Sequence, residues 1–294
     1  MRPISTNLLM DDHSESPLLL PHLPSVQPFP STKPRLDHFS NMYPPQADVA
    51  GIYECSPEEL VDRALKTLQD AGIQLTEWLS LLHRRMNVPV VIRDFHYLVP
   101  DEDLDKACKL VAETERLPRS RPPPLLIRTG GDFYTKARMF RVTQYTSLAL
   151  AQHLVLYPAS LAAYNPIDLS PAPRTTSLSE PLCKTVLIPT QPAVYASILK
   201  CMQRYPRFDS ARIFLQTDLS QLVGYNLYGL DCGYVDTDDE ELCEELEVDR
   251  RVEEATSLVE EWRRSGALGD KAVGDALINV VSGKWTVEDV PWRR

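Results

Sequence analysis

The stretch 87–115, NVPVVIRDFHYLVPDEDLDKACKLVAETE, constrains this chain more than any other. A short β-branched apolar run stops at Pro100, and the carboxylates of Asp101, Glu102, Asp103 and Asp105 follow at once. A helical pattern comes next, with Leu104, Ala107, Cys108 and Val111 on one face. The spacing predicts a strand over 88–99 feeding a helix over 102–115, with Asp101 as its N-cap. A strand that turns directly into an amphipathic helix must cover one sheet face with that helix, which favours an α/β architecture. The strand also carries Asp94 and His96, two residues apart and therefore on one face.

Other elements fall around this unit. Ser56-Pro57-Glu58-Glu59 is a capping box with proline at the first helical position. Leu60, Ala64, Leu65 and Leu68 then mark a buried face, and Gly72 ends the helix. A second helix is expected over 76–86, where Leu79, Leu82 and Met86 share a face. Leu125-Leu126-Ile127, after three prolines, reads as a short strand, and Thr129-Gly130-Gly131-Asp132 as a turn. Phe140, Val142 and Tyr145 suit a strand, whereas 148–157 is compatible with helix or strand. Residues 165–181 read as a Pro/Ser/Thr connector, and 186–189 as a strand. Helices are expected over 193–204, 212–222, 240–264 and 270–282.

The fold class that emerges is α/β (α+β), a small mixed sheet with flanking helices plus a helical C-terminal part. The expected organisation is a disordered Pro/Ser-rich tail over 1–54, an α/β core over 55–235 and a helical extension over 236–294 that packs on the core.

Composition removes several function classes. The net charge of −10 repels a phosphate backbone and argues against nucleic acid as a general partner. The basic residues Arg119, Arg121, Arg128, Lys136, Arg138 and Arg141, interleaved with Phe133, Tyr134 and Phe140, form the one local exception. No apolar run approaches the roughly 20 residues that span a bilayer, and no signal-peptide pattern opens the chain. The expected setting is the cytoplasm or nucleus. The six cysteines show no CxxC spacing, so buried free thiols in a reducing compartment are expected rather than a zinc site or a disulfide scaffold.

Candidate chemistry is sparse. Asp94 with His96 could hold a metal or pair an acid with a base, though imidazole is a poor Mg²⁺ ligand. The simpler reading is a hydrogen-bonded structural pair. Asp101 and its acidic neighbours could extend a metal site, but they also suit the positive end of the following helix. The acidic run 236–247 has calcium-loop spacing but puts Glu241 where glycine is needed. Gly130-Gly131 ahead of Lys136 lacks the spaced glycines of a phosphate cradle, so a hairpin turn is preferred. There is no Gly-x-Ser-x-Gly elbow. His83 and His153 lie in apolar contexts and read as structural histidines.

The run Val88-Pro89-Val90-Val91-Ile92-Arg93-Asp94, then Tyr97-Leu98-Val99-Pro100-Asp101, resembles a family of uncharacterised fungal proteins. So does Leu187-Ile188-Pro189-Thr190 before the helix bearing Tyr195, and the resemblance covers most of 58–265. That family looks like a divergent nucleotidyltransferase fold. The resemblance implies a glycine turn, then a strand with paired carboxylates. Asp94 matches the first carboxylate, and His96 departs at the second. Trp78-Leu79-Ser80-Leu81 stands where the glycine turn should be, and Leu79 is expected to be unable to replace that glycine. The implied outcome is a non-catalytic binding or interaction module with Asp94, His96 and Asp101 marking a remnant pocket and no cofactor. Two alternatives stand beside it. One is an active Mg²⁺- and nucleotide-using transferase that joins Asp94 to Asp101 or Asp132. The other is a protein that docks a protein partner through the acidic helix 240–264.

Overall fold

The computed structural model describes residues 51–147, 149–235 and 239–292. The chain is mixed α/β, with a seven-stranded mixed sheet and helices on both faces. Helix α1 (Pro57–Asp70) precedes β1 (Thr76–Glu77), α2 (Ser80–Arg85) and β2 (Phe95–Val99). Helix α3 (Leu104–Glu113) leads to β3 (Arg119–Ser120), and α4 (Pro124–Gly130) and α5 (Asp132–Thr135) to β4 (Arg138–Arg141). Strands β5 (His153–Pro158), β6 (Leu169–Pro173) and β7 (Thr185–Pro189) complete the sheet. Helices α6 (Gln191–Met202), α7 (Ser210–Gln221), α8 (Glu240–Glu245), α9 (Val248–Ser265) and α10 (Lys271–Val281) follow.

The strand order is β3-β4-β5-β2-β1-β7-β6. Strand β2 runs parallel to β5, and β1 parallel to β7, while every other neighbouring pair is antiparallel. The period of two decides the two faces. Phe95, Tyr97 and Val99 of β2, with Leu154 and Leu156 of β5, meet Leu60, Leu65 and Leu68 of α1 and Leu104 and Val111 of α3. Leu98, Val155 and Tyr157 point the other way, toward a core built with Tyr195 and Leu199 of α6, Leu215 and Leu219 of α7, Val259 of α9 and Leu277 of α10. Each fully buried Leu or Val here contributes about 1.5–3 kcal/mol relative to exposure.

Several local expectations hold. Ser56 N–H donates to Glu59 Oε2 at 2.7 Å and Glu59 N–H to Ser56 Oγ at 3.3 Å, the reciprocal pair of a capping box. The stripe of α3 is buried as its spacing requires. Of the cysteines, Cys108, Cys183 and Cys201 are buried as expected, whereas Cys55 and Cys243 are half-buried and Cys232 is exposed.

Others are corrected. The strand expected over 88–99 begins only at Phe95; the segment before it carries no ladder pairing, and Val91 is 88% exposed. The helix expected over 76–86 is shorter, because Thr76 and Glu77 pair with Leu98 and Tyr97 as a strand. Asp101 does not cap α3. A 3-10 turn over Asp101–Asp103 precedes that helix, and the Asp101 carboxylate accepts from Ser160 N at 2.9 Å and Ser160 Oγ at 2.5 Å. Leu125-Leu126-Ile127 is helical, not a strand. Pro124 starts α4 at a position that needs no N–H, and Leu125 and Ile127 are 50% and 38% exposed. Gly131 is a helix–helix junction at φ +51° rather than a hairpin turn.

The connector 165–181 contains β6, an edge strand whose Pro171 and Pro173 are tolerated because one side of the ladder is open. The helix expected over 240–264 breaks at Glu247, whose backbone is left-handed. A 3-10 turn over Ile52–Glu54 precedes the Ser56 cap. The remainder of the expected tail, and part of the acidic run 236–247, lie outside the described residues.

Candidate functional site

A cavity of about 330 Å³ opens on the α2/α7 side of the sheet. Leu79, Ser80 and His83 reach it from the β1–α2 turn and α2, His96 from β2, and Tyr157 from β5. Phe133 and Tyr134 come from α5, Phe214, Asp218 and Gln221 from α7, and Val90 and Val91 from the segment ahead of β2. Its walls combine the rings of Phe133, Tyr134, Tyr157 and Phe214 with the polar side chains of Ser80, His83, His96, Asp218 and Gln221.

The aromatic wall is continuous. Trp78 stacks edge-on to Tyr157 at 4.8 Å between centroids and lies 5.7 Å from Phe133, which in turn lies 5.1 Å from Phe214. The His96 ring stacks on Tyr157 at 5.9 Å and 25°. Gly130 makes room for this wall, since a Cβ there would sit 2.4 Å from the Tyr134 ring.

The strand pattern delivers Asp94 and His96 toward the same side, but their roles diverge. Asp94 Oδ1 accepts from the His153 backbone N–H at 2.8 Å and faces His153 Nδ1 at 3.1 Å. A carboxylate can only accept, so Nδ1 of His153 carries the proton. Burial works against the Asp94 charge, but the His153 hydrogen bond and nearby positive groups outweigh it and hold the carboxyl below its ordinary range. Asp94 is therefore engaged with β5 and does not line the cavity.

His96 does line it. Burial pushes its pKa down to about 4, so the ring is neutral at pH 7. Its Nδ1 is buried with no hydrogen-bond partner. Of the three residues expected to share a remnant pocket, only His96 is at the cavity; Asp101 is engaged with Ser160 and Asp94 with His153. The other carboxylate offered to Asp94, Asp132, meets Lys136 Nζ at 3.0 Å and accepts from Tyr205 Oη at 3.2 Å. Among the described residues, no three His, Cys, Asp or Glu side chains are grouped to hold a metal ion.

Leu79 has φ +48° and ψ −126°, a conformation that favours glycine, directly between β1 and α2. Its backbone thus takes the glycine conformation, while its side chain, buried, forms part of the cavity wall.

Two polar groups at the cavity escaped the sequence reading. Asp218 sits on the buried face of α7 between Leu215 and Leu222, a carboxylate in an apolar stripe. That placement is a signal the pattern contains, since buried acids without partners are rare. Burial pushes the Asp218 carboxyl up to about 8. His83, read from sequence as structural, faces it, with Nε2 3.9 Å from Oδ2 of Asp218. Burial, and secondarily the charge of His96, lowers His83 to about 4.

Beyond the cavity, the acidic C-terminal region buries part of its apolar stripe and leaves Leu242 exposed. Ala255 and Val259 of α9 are buried, and Trp262 lies 5.8 Å from the Tyr195 ring. Among the described residues no helix is long and apolar enough to cross a membrane. No family model matches this chain, and no curated protein or solved structure matches it either.

Proposed function

We infer that this chain is a small-molecule binding module, built on a nucleotidyltransferase-like α/β core, that does not transfer nucleotides. The observation that carries the reading is the engagement of Asp94. Its carboxylate is satisfied by the His153 backbone and ring, and the second carboxylate position is the neutral imidazole of His96. Phosphoryl chemistry of that kind needs hard oxygen ligands converging on Mg²⁺. The two carboxylates that the sequence offered to Asp94 are engaged elsewhere, Asp101 with Ser160 and Asp132 with Lys136 and Tyr205. The succession of β1, a tight turn at Leu79, α2 and β2 supports the core assignment.

What remains at the expected place is a half-open cavity with aromatic side chains and no Lys or Arg in its lining. Binding there, without turnover, is the activity such a site supports. Docking of a protein partner through the acidic helix is not favoured, because the apolar residues Ala255 and Val259 are already buried.

Calorimetric titration with Mg-ATP tests the reading. The expected result is no saturable heat, unchanged in Asp94→Ala. Saturable Mg-ATP binding that disappears in Asp94→Ala would return the chain to the active-transferase reading.

A further inference from the structure

The cavity holds more hydrogen-bond acceptors than the protein satisfies. His83 and Asp218 are only 6% and 8% exposed. Neither side chain meets a hydrogen-bond partner among the described residues; their closest approach is the 3.9 Å between His83 Nε2 and Asp218 Oδ2, beyond hydrogen-bond reach. His96 Nδ1 also lacks a partner, but it is fully buried and not open to the cavity. Buried polar groups in native proteins are nearly always satisfied, and leaving one bare costs about 1–3 kcal/mol. A carboxyl and an imidazole that face each other across 3.9 Å at one cavity, neither with a hydrogen-bond partner, point to a ligand that brings donors.

The charge of that ligand follows from the lining. No Lys or Arg is among the lining residues, so the protein supplies no counter-charge to Asp218 and no grip for an anion. A neutral imidazole offers one bare lone pair, as His83 does. The two carboxylate oxygens and this nitrogen make three acceptors, matching the three N–H donors of a primary ammonium. The rings of Phe133, Tyr134, Tyr157 and Phe214 surround the same space, and aromatic faces attract organic cations. The overall charge of −10 draws cations toward the protein. A metal ion fits less well, because these side chains are not grouped as a metal site.

We propose that the cavity binds a small organic cation, a primary amine on an aromatic or apolar skeleton, whose ammonium donates to Asp218 and His83. The proposal rests on reading the cavity as a ligand site, and adds the ligand's chemical class. The carbon skeleton lies against Phe133 and Phe214, and the ammonium end is the part that selects. An uncharged isostere keeps the ring contacts and loses the charge.

Isothermal calorimetry on the full chain at pH 8 tests this with three probes: phenethylamine, phenethyl alcohol as its neutral isostere, and zinc sulfate. Phenethylamine is expected to bind at least tenfold more tightly than the alcohol. Asp218→Asn should weaken the amine at least tenfold and leave the alcohol within about threefold, with an unchanged near-UV circular dichroism spectrum. His83→Gln is a second probe of the same contact, with an expected loss of about fivefold for the amine alone. Equal binding of amine and alcohol would leave a ligand cavity but overturn the amine. Amine binding that survives both substitutions, absent amine binding, or zinc binding that excludes the amine would each overturn it too. Mg-ATP binding lost in Asp94→Ala strikes the functional reading separately, since Asp94 does not line the cavity.

Discussion

The Asp94 carboxylate ties the start of β2 to the start of β5, taking the His153 backbone N–H at 2.8 Å and facing its ring Nδ1 at 3.1 Å. The register places Phe95 opposite Leu154, so this contact closes the parallel pair at its N-terminal end. A residue that looked like half of a catalytic pair is a clamp between strands.

Replacing that clamp should be felt in stability. Asp94→Ala leaves the His153 amide and ring without their acceptor, and the expected loss is about 1–3 kcal/mol in urea unfolding. Because the folded carboxyl sits below its ordinary 3.8, its contribution is present above that value and is lost as pH falls through the folded pKa. The gap between wild type and Asp94→Ala should therefore narrow only in strong acid. A constant gap down to pH 2 would contradict the clamp.

Asp218 acts in the opposite direction. Its folded pKa, about 8, lies above the ordinary 3.8. From pH 4 to 8 the unfolded chain releases this proton while the folded chain holds it, so the group lowers stability progressively across that window. Asp218→Asn should gain on wild type by on the order of 1–3 kcal/mol between pH 4 and pH 8 in the absence of amine. Chemical denaturation at the two pH values checks the sign, and a gain that is larger at pH 4 would refute it.

His83 and His96 set acid tolerance. Both are held to about 4 against an ordinary 6.5, so the unfolded chain takes up protons first as pH falls. Their contribution is complete above pH 6.5 and is lost toward pH 4. His96→Gln should flatten the melting temperature across pH 4–6.5 relative to wild type, as read by scanning calorimetry at several pH values.

On the other face of the sheet, Asp62 carries a buried ion pair. It meets Arg174 Nη2 at 2.8 Å and accepts the amides of Leu182 at 2.7 Å and Cys183 at 3.1 Å, joining α1 to the segment after β6. Removing one partner strands the other, so Asp62→Ala should cost about 3–5 kcal/mol. Glu247→Ala, at an exposed pair with Arg250, should change stability by less than about 0.5 kcal/mol in the same assay.

Gly224 offers a steric test. It lies in the π-helical turn Leu222–Leu227 that extends α7, where the backbone of Gly233 approaches so closely that a Cβ would stand 1.8 Å from its carbonyl oxygen. That neighbour is backbone and cannot rotate away. Gly224→Ala should destabilise by about 2 kcal/mol or more, whereas Gly283→Ala meets no atom within 4 Å and loses only backbone ease at φ +72°.

Elements whose stability is local were readable from residue order. The Ser56/Glu59 box and the stripe of Leu60, Leu65 and Leu68 define α1 within a few turns of chain. Where the partner lies far along the chain, the pattern misled or was silent. Thr76 and Glu77 form a strand because Leu98, Tyr97 and Leu187 complete their hydrogen bonds, and Leu125–Ile127 coils because Pro124 starts a helix that packs on α7. The cavity belongs to the second kind. Asp218 and His83 come from helices separated by most of the sheet, and nothing near either residue in sequence announces that they face one another. Short-range order follows from neighbours that are covalently close, whereas burial, pKa and the meeting of polar groups depend on which distant surfaces exclude water together.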